Sequence, residues 1–151
     1  KLLFNIGSQP GVKLYNYALG PQIGRTKIWQ DNGNEGQSSS LLKPKEHINQ
    51  WSHITFNEGE EVEVRTLDSF GLTGANMLVL DVQGYELEVL KGSAETLRNM
   101  DHVFCEVNAN EMYEGCPTLE GLDKFLQGFG FVLREHWWTG NNWGDAYWSR
   151  P

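Results

Sequence analysis

Cysteine is scarce in this chain, with two residues in 151, and neither Cys105 nor Cys116 stands at a metal-ligand spacing from a histidine. A disulfide-built or zinc-built domain is therefore not expected, and a reducing, cytoplasmic setting is the default. Basic residues are also in short supply: 12 Lys and Arg face 20 Asp and Glu, for a net charge of −8. That balance argues against a nucleic-acid partner, because phosphate binding needs clustered cations. No apolar run approaches the roughly 18 residues of a membrane span, and no charged-then-apolar leader stands before a cleavage site. No internal repeat occurs, and no linker is long enough to divide the chain in two. What remains, 39% apolar and 12% aromatic residues, suffices for one α/β core.

Alternating patterns place strands at Val12 to Ala18, Gly24 to Gln30 and Glu61 to Leu67. Asp31 to Ser40 is rich in Asn, Gly and Ser and reads as loop. Lys43 to Trp51 reads as a short helix or an irregular cover segment. His102 to Asn108 is a further strand, in which Cys105 behaves as a small buried hydrophobe. Cys116 sits in a Gly-Cys-Pro turn as a plain loop residue. Thr118 offers an N-cap to a helix through Leu122 and Leu126, stopped by Gly128. Phe129 to Trp138 and Asp145 to Arg150 are the last two strands, joined by an Asn-Gly-rich loop.

The most informative stretch is Met77 to Gly92, where an apolar run ends in Asp81, turns through Gly84 and becomes an amphipathic helix. In open α/β sheets, ligands sit beyond the carboxyl ends of the strands, where Asp81 and Gln83 fall. Asp81 reads equally as a cap for the following helix. Leu80-Asp81-Val82-Gln83-Gly84-Tyr85-Glu86-Leu87-Glu88-Val89-Leu90-Lys91-Gly92 resembles the D-V-E-G-x-E-x-x-V-L-x-G signature of the FkbM-type methyltransferases. Val64 to Phe70 is similar to that family's V-x-T-L-D segment. Asn16 to Gly24 resembles its N-x-A-L-G-x-x-x-G segment, and Ser38 to Leu41 its serine-rich turn. The departures are Gln83 where an acid is usual and Val79 where a lysine is common.

The resemblance implies S-adenosylmethionine as cofactor and a partial Rossmann-like class I methyltransferase sheet, an α/β fold, mostly parallel with a reversed last strand. It also implies a glycine-rich loop and a ribose-binding acid ahead of the segments seen. Leu3 to Gly11 looks faintly like such a loop but runs into a β pattern, whereas a cofactor loop opens a helix. Residues 1–151 are therefore expected to be one domain, the C-terminal portion of a methyltransferase domain. Weak cofactor binding by this chain alone follows. A sheet edge at Met77 to Asp81 opened by the truncation would favour a homodimer.

Methyl transfer to a hydroxyl needs an aligned acceptor and often a proton acceptor. Asp81 is the first candidate and Glu106 on the neighbouring strand the second. Gln83 and Asn108 are expected to line the pocket of a small-molecule or glycan acceptor, with His136 and Trp138. Glu86 reads as a first-turn acid favoured by the helix dipole. Ser39 and Asp68 are the cofactor candidates; Asp68 reads equally as a turn-forming acid, and loop serines are commonly solvated. His47, His53 and His102 share no motif. No metal site is expected.

Four of the six tryptophans lie between His136 and Trp148. They read as strand residues packed on helices or as a platform for sugar rings. Two function classes stand. One is an O-methyltransferase acting on a hydroxyl of a saccharide, lipid or natural product. The other is a non-catalytic glycan-binding domain using the Trp-rich strands.

Overall fold

A computed structural model describes residues 9–151, so residues 3–8 of the faint glycine loop lie outside the described residues. Among the described residues seven strands form two sheets. In the first, β1 (Ala18–Leu19) pairs parallel with β3 (Thr55–Arg65), which pairs antiparallel with β2 (Gly24–Asn32). In the second, β4 (Met77–Leu80) pairs parallel with β5 (His102–Asn108). There β7 (Trp143–Ser149) lies antiparallel between β5 and β6 (Val132–Trp138). The helices are α1 (Glu46–Gln50), α2 (Glu86–Lys91), α3 (Ala94–Arg98) and α4 (Leu119–Gln127), with a 3-10 turn at Leu67–Phe70.

The sheets are mixed and mostly antiparallel, each with one parallel pair, which corrects the mostly parallel expectation. The cause is connectivity. The β2–β3 and β6–β7 pairs are antiparallel hairpins, and β7 enters between β5 and β6. Only β4 to β5 is a helical crossover to a paired neighbour, as parallel pairing demands. The strand expected from Val12 shrinks to Ala18–Leu19, and Val12, Tyr15 and Tyr17 are exposed.

Strand alternation sorts the second sheet into two faces. Leu80, Val103, Cys105, Val107, Ala146 and Trp148 point into one core with Val89, Leu90, Leu97, Leu122 and Leu126 from the helices. Each Val and Leu among them contributes about 1.5–3 kcal/mol by leaving water. Thr118 caps α4 by accepting from the Gly121 N–H at 3.5 Å. The other face carries Met77, Val79 and Trp137 exposed, with Phe104 and Tyr147 half-buried. Gly20, just after β1, and Gly92, at the end of α2, approach so closely that a Cβ on Gly92 would stand 2.1 Å from the Gly20 carbonyl oxygen.

Candidate active site

At the carboxyl ends of β4 and β5 opens a cavity of about 850 Å³. Its floor is acidic. Asp81 follows β4, Glu106 lies near the end of β5, and Asp145 on β7 is the direct cross-strand partner of Glu106. Gln83 joins them, its Nε2 donating to Asp81 Oδ1 at 2.8 Å and reaching Glu106 Oε2 at 3.5 Å. Gln83 is held in turn. Its carbonyl accepts from Ser40 Oγ at 2.7 Å, and the Tyr113 hydroxyl lies 3.0 Å from its Oε1 and 2.9 Å from the Ser38 carbonyl. Its φ of 52° is a left-handed conformation uncommon for a residue with a side chain, and it turns the amide toward the carboxylates.

The turn that sets this up follows from two residues. Gly84 has φ 91°, and a Cβ there would stand 3.0 Å from both Tyr113 and Cys116. Glu86 is fully buried, and its Oε1 accepts from the Val82 and Gly84 N–H groups at 3.2 and 3.1 Å. It therefore clamps the turn, a role beyond that of a first-turn acid on α2. Burial pushes the Glu86 carboxyl up to about 7, against the backbone N–H groups that favour its charged form. Burial, then Asp81, Glu86 and Asp145, push Glu106 up to about 8, which keeps it protonated at neutral pH. Burial and Asp81 raise Asp145 as well.

The opposite wall is the loop after β2. Asp31, almost fully buried, accepts from the N–H groups of Asn34, Gly36 and Ser38 at 3.0, 3.2 and 2.7 Å. Ser39 Oγ accepts from the Asp31 N–H at 3.2 Å, and Asn34, Gln37, Ser38 and Ser39 face the cavity. Sequence reasoning passed over Asp31, although an Asp ahead of an Asn-Gly-Ser run is the signature of a side chain that organises its own turn. It also passed over His47, which lines the cavity among Trp51, Phe56 and Tyr113. Burial lowers the His47 imidazole despite the nearby Asp31.

The structure brings Asp81, Gln83, Glu106, Asn108 and Ser39 together on this cavity and leaves the other candidates elsewhere. Asp68 lies at the N-terminus of α3. Its oxygens accept from the Glu95 N–H at 3.0 Å, the Thr96 N–H at 2.8 Å and the Thr96 hydroxyl at 2.7 Å. Partial burial opposes its ionisation, yet these bonds bring its carboxyl below the usual range. His136 is exposed beside Trp138 on the sheet edge, and Trp138 lines a smaller hollow with Ala109, Gly140 and Asn142. Of the four C-terminal tryptophans, Trp143 lines the main cavity and Trp148 is in the core. Asp81 does not cap α2: the N-cap is Tyr85, with no side-chain cap. Among the described residues no group of three or more His, Cys, Asp and Glu is placed to hold a metal. Among them, too, no helix is long and apolar enough to cross a membrane.

A polar cavity beyond the carboxyl ends of adjacent strands, beside a strand-turn-helix unit, lies where α/β proteins bind their ligands. This chain belongs to the Methyltransferase FkbM domain family, which it matches over residues 5–133. It is also similar to the 2-O-methyltransferase NoeI of Sinorhizobium fredii (strain NBRC 101917 / NGR234), at 29% identity over 139 residues. That alignment takes in 86% of this chain, which spans 57% of the relative's length. No solved structure matches. The family match begins at residue 5 and includes the N-terminal region, which corrects the reading of the chain as only the C-terminal portion of such a domain.

Proposed function

We propose that this protein is an S-adenosylmethionine-dependent O-methyltransferase acting on a hydroxyl of a saccharide, lipid or natural product. One observation carries the reading: the Asp81 carboxylate of the family signature stands on the cavity floor, oriented by Gln83 and next to Glu106. The name of the similar 2-O-methyltransferase supports oxygen as the methylated atom.

The cavity suits the cofactor in sign and in donors. Its lining holds three acidic side chains and no Lys or Arg, which complements a sulfonium. Ser39, Asn34 and Gln37 would hold the cofactor's polar groups from the loop side. When bound, S-adenosylmethionine supplies a methyl whose carbon–sulfur pair returns to sulfur as the carbon–oxygen bond forms. Asp81 accepts the hydroxyl proton. Gln83 fixes the rotamer of Asp81, and Tyr113 and Ser40 fix Gln83, so the acceptor oxygen meets a base that is already placed. In the free protein Glu106 holds its proton at neutral pH. Asn108 and Trp143, cross-strand partners, close the acceptor side.

The test is methyl transfer from labelled S-adenosylmethionine to a panel of hydroxylated acceptors. Asp81→Asn should lower turnover by about 10²–10⁴-fold, the contribution of a positioned base, with cofactor affinity nearly unchanged. Transfer to no acceptor by the wild-type chain, or turnover within a few-fold in the variant, refutes the proposal.

A further inference from the structure

We propose that the cavity selects an acceptor bearing a primary ammonium group beside its hydroxyls, an amino sugar or amino alcohol, through Asp81, Glu106 and Asp145. This rests on the reading of the cavity as the acceptor site. Glu106 on β5 and Asp145 on β7 are cross-strand partners, and Asp81 follows the last residue of β4, so the three carboxyl groups line one cavity. The lining offers them no Lys or Arg; the Gln83 amide is the donor that reaches Asp81 and Glu106. Phosphorylated and carboxylated acceptors are therefore repelled, and a cation is drawn in.

Two buried groups on the same cavity point independently to a ligand. Asn108 is 2% exposed with its Nδ2 unpaired, and His47 is 5% exposed with its Nδ1 unpaired. A buried donor without a partner is costly, and an oxygen of the ligand satisfies the Asn108 amide. The ligand therefore carries oxygen as well as charge. Trp51 and Trp143 supply flat apolar walls for a ring.

The proposal has a protonic signature. Glu106 faces Asp81 after β4, Glu86 on α2, Asp145 on β7, Gln83 in the turn and Tyr113 beyond it, and no cation among the charged groups acting on it. An arriving ammonium stabilises the Glu106 carboxylate, so binding at neutral pH releases a proton. A neutral sugar of the same shape releases none.

The experiment titrates the full chain with glucosamine, glucose and N-acetylglucosamine, followed by 15N-resolved NMR and by calorimetry in two buffers of different ionisation enthalpy. Glucosamine should bind about tenfold more tightly than either neutral sugar, shift the amides of Asp81, Glu106 and Asp145, and show a buffer-dependent enthalpy. Asp145→Asn, with an otherwise unchanged spectrum, should bring the three affinities together. Equal binding of all three sugars, shifts confined to another surface, or glucosamine enthalpies independent of buffer overturn the proposal. An ammonium also occurs on the cofactor, so a further titration is made with S-adenosylhomocysteine present. Retained glucosamine binding supports the acceptor assignment, and competition overturns it. Methyl transfer to neutral acceptors with no preference for amino ones leaves the methyltransferase reading standing and overturns this one.

Discussion

In the four-stranded sheet, one face sets Leu80, Val103, Cys105, Val107, Ala146 and Trp148 against three helices with almost no exposure. The three-stranded sheet buries little beyond Val64, and its long β2–β3 hairpin carries Arg25–Glu61 and Lys27–Glu58 ion pairs at 2.9 and 2.7 Å in solvent. The first is held by apolar burial; the second is held by its backbone ladder and a flank of surface charge. The cavity lies where they meet. Its floor belongs to the well-packed sheet and its wall to the loop that Asp31 organises at the end of β2. The acidic groups thus sit on the side held by apolar burial, and the facing wall is held by hydrogen bonds within its own loop.

The largest effect that sharpens this contrast is in the core. Trp148→Ala should cost about 3–5 kcal/mol in urea unfolding, and it also removes the indole N–H donated to Asp123 Oδ1 at 3.0 Å. Trp138→Ala, on the exposed edge, should cost under about 1 kcal/mol. Similar costs for the two would erase the distinction between the faces.

Next comes the pH dependence of the turn between the sheet and α2. The Glu86 carboxyl is raised from 4.5 to about 7 by burial, so the folded state holds its proton more tightly than the unfolded chain does. Its contribution is fully present below pH 4.5 and is lost as pH rises to about 7, on the order of 3 kcal/mol in all. Glu106 adds a slope of the same sign reaching to about pH 8. Glu86→Gln keeps an acceptor for Val82 and Gly84, so urea unfolding at pH 5 and 7.5 should show a flatter dependence. An unchanged slope would mean that Glu86 is not the titrating clamp. The smallest effect belongs to the hairpin: Lys27→Ala should cost under about 1 kcal/mol and less in high salt, as exposed pairs do. A larger loss would mean the charges hold the small sheet after all.

The parts legible in the sequence are those whose cause is local. Met77 to Leu80 with Gly84 reads as strand and turn, and Thr118 ahead of Leu119 as a cap, because periodicity and capping act within a few residues. Asp81, Gln83, Glu106 and Asn108 reach the cavity because strand ends are where such sheets bind ligands. The antiparallel pairing of β2 with β3 was not legible, since direction depends on which strands become neighbours. Glu86 shows the same limit. Its first-turn position on α2 is a local fact, and its burial is a tertiary one. Asp145 and His47 join the site only through packing, and no short motif announces them.

The placement of β7 between β5 and β6 governs when the cavity comes into being during synthesis. A nascent chain that has emerged only as far as β5 possesses Asp81 and Glu106 but not the strand bearing Trp143 and Asp145. One side of the β5 ladder then has no partner, and the indole of Trp148 is not yet there to cover Val103. The β6–β7 hairpin must leave the ribosome and slide its second strand in beside β5 before the set of three carboxyl groups is complete. Topology therefore leaves the cavity incomplete until β7 has docked.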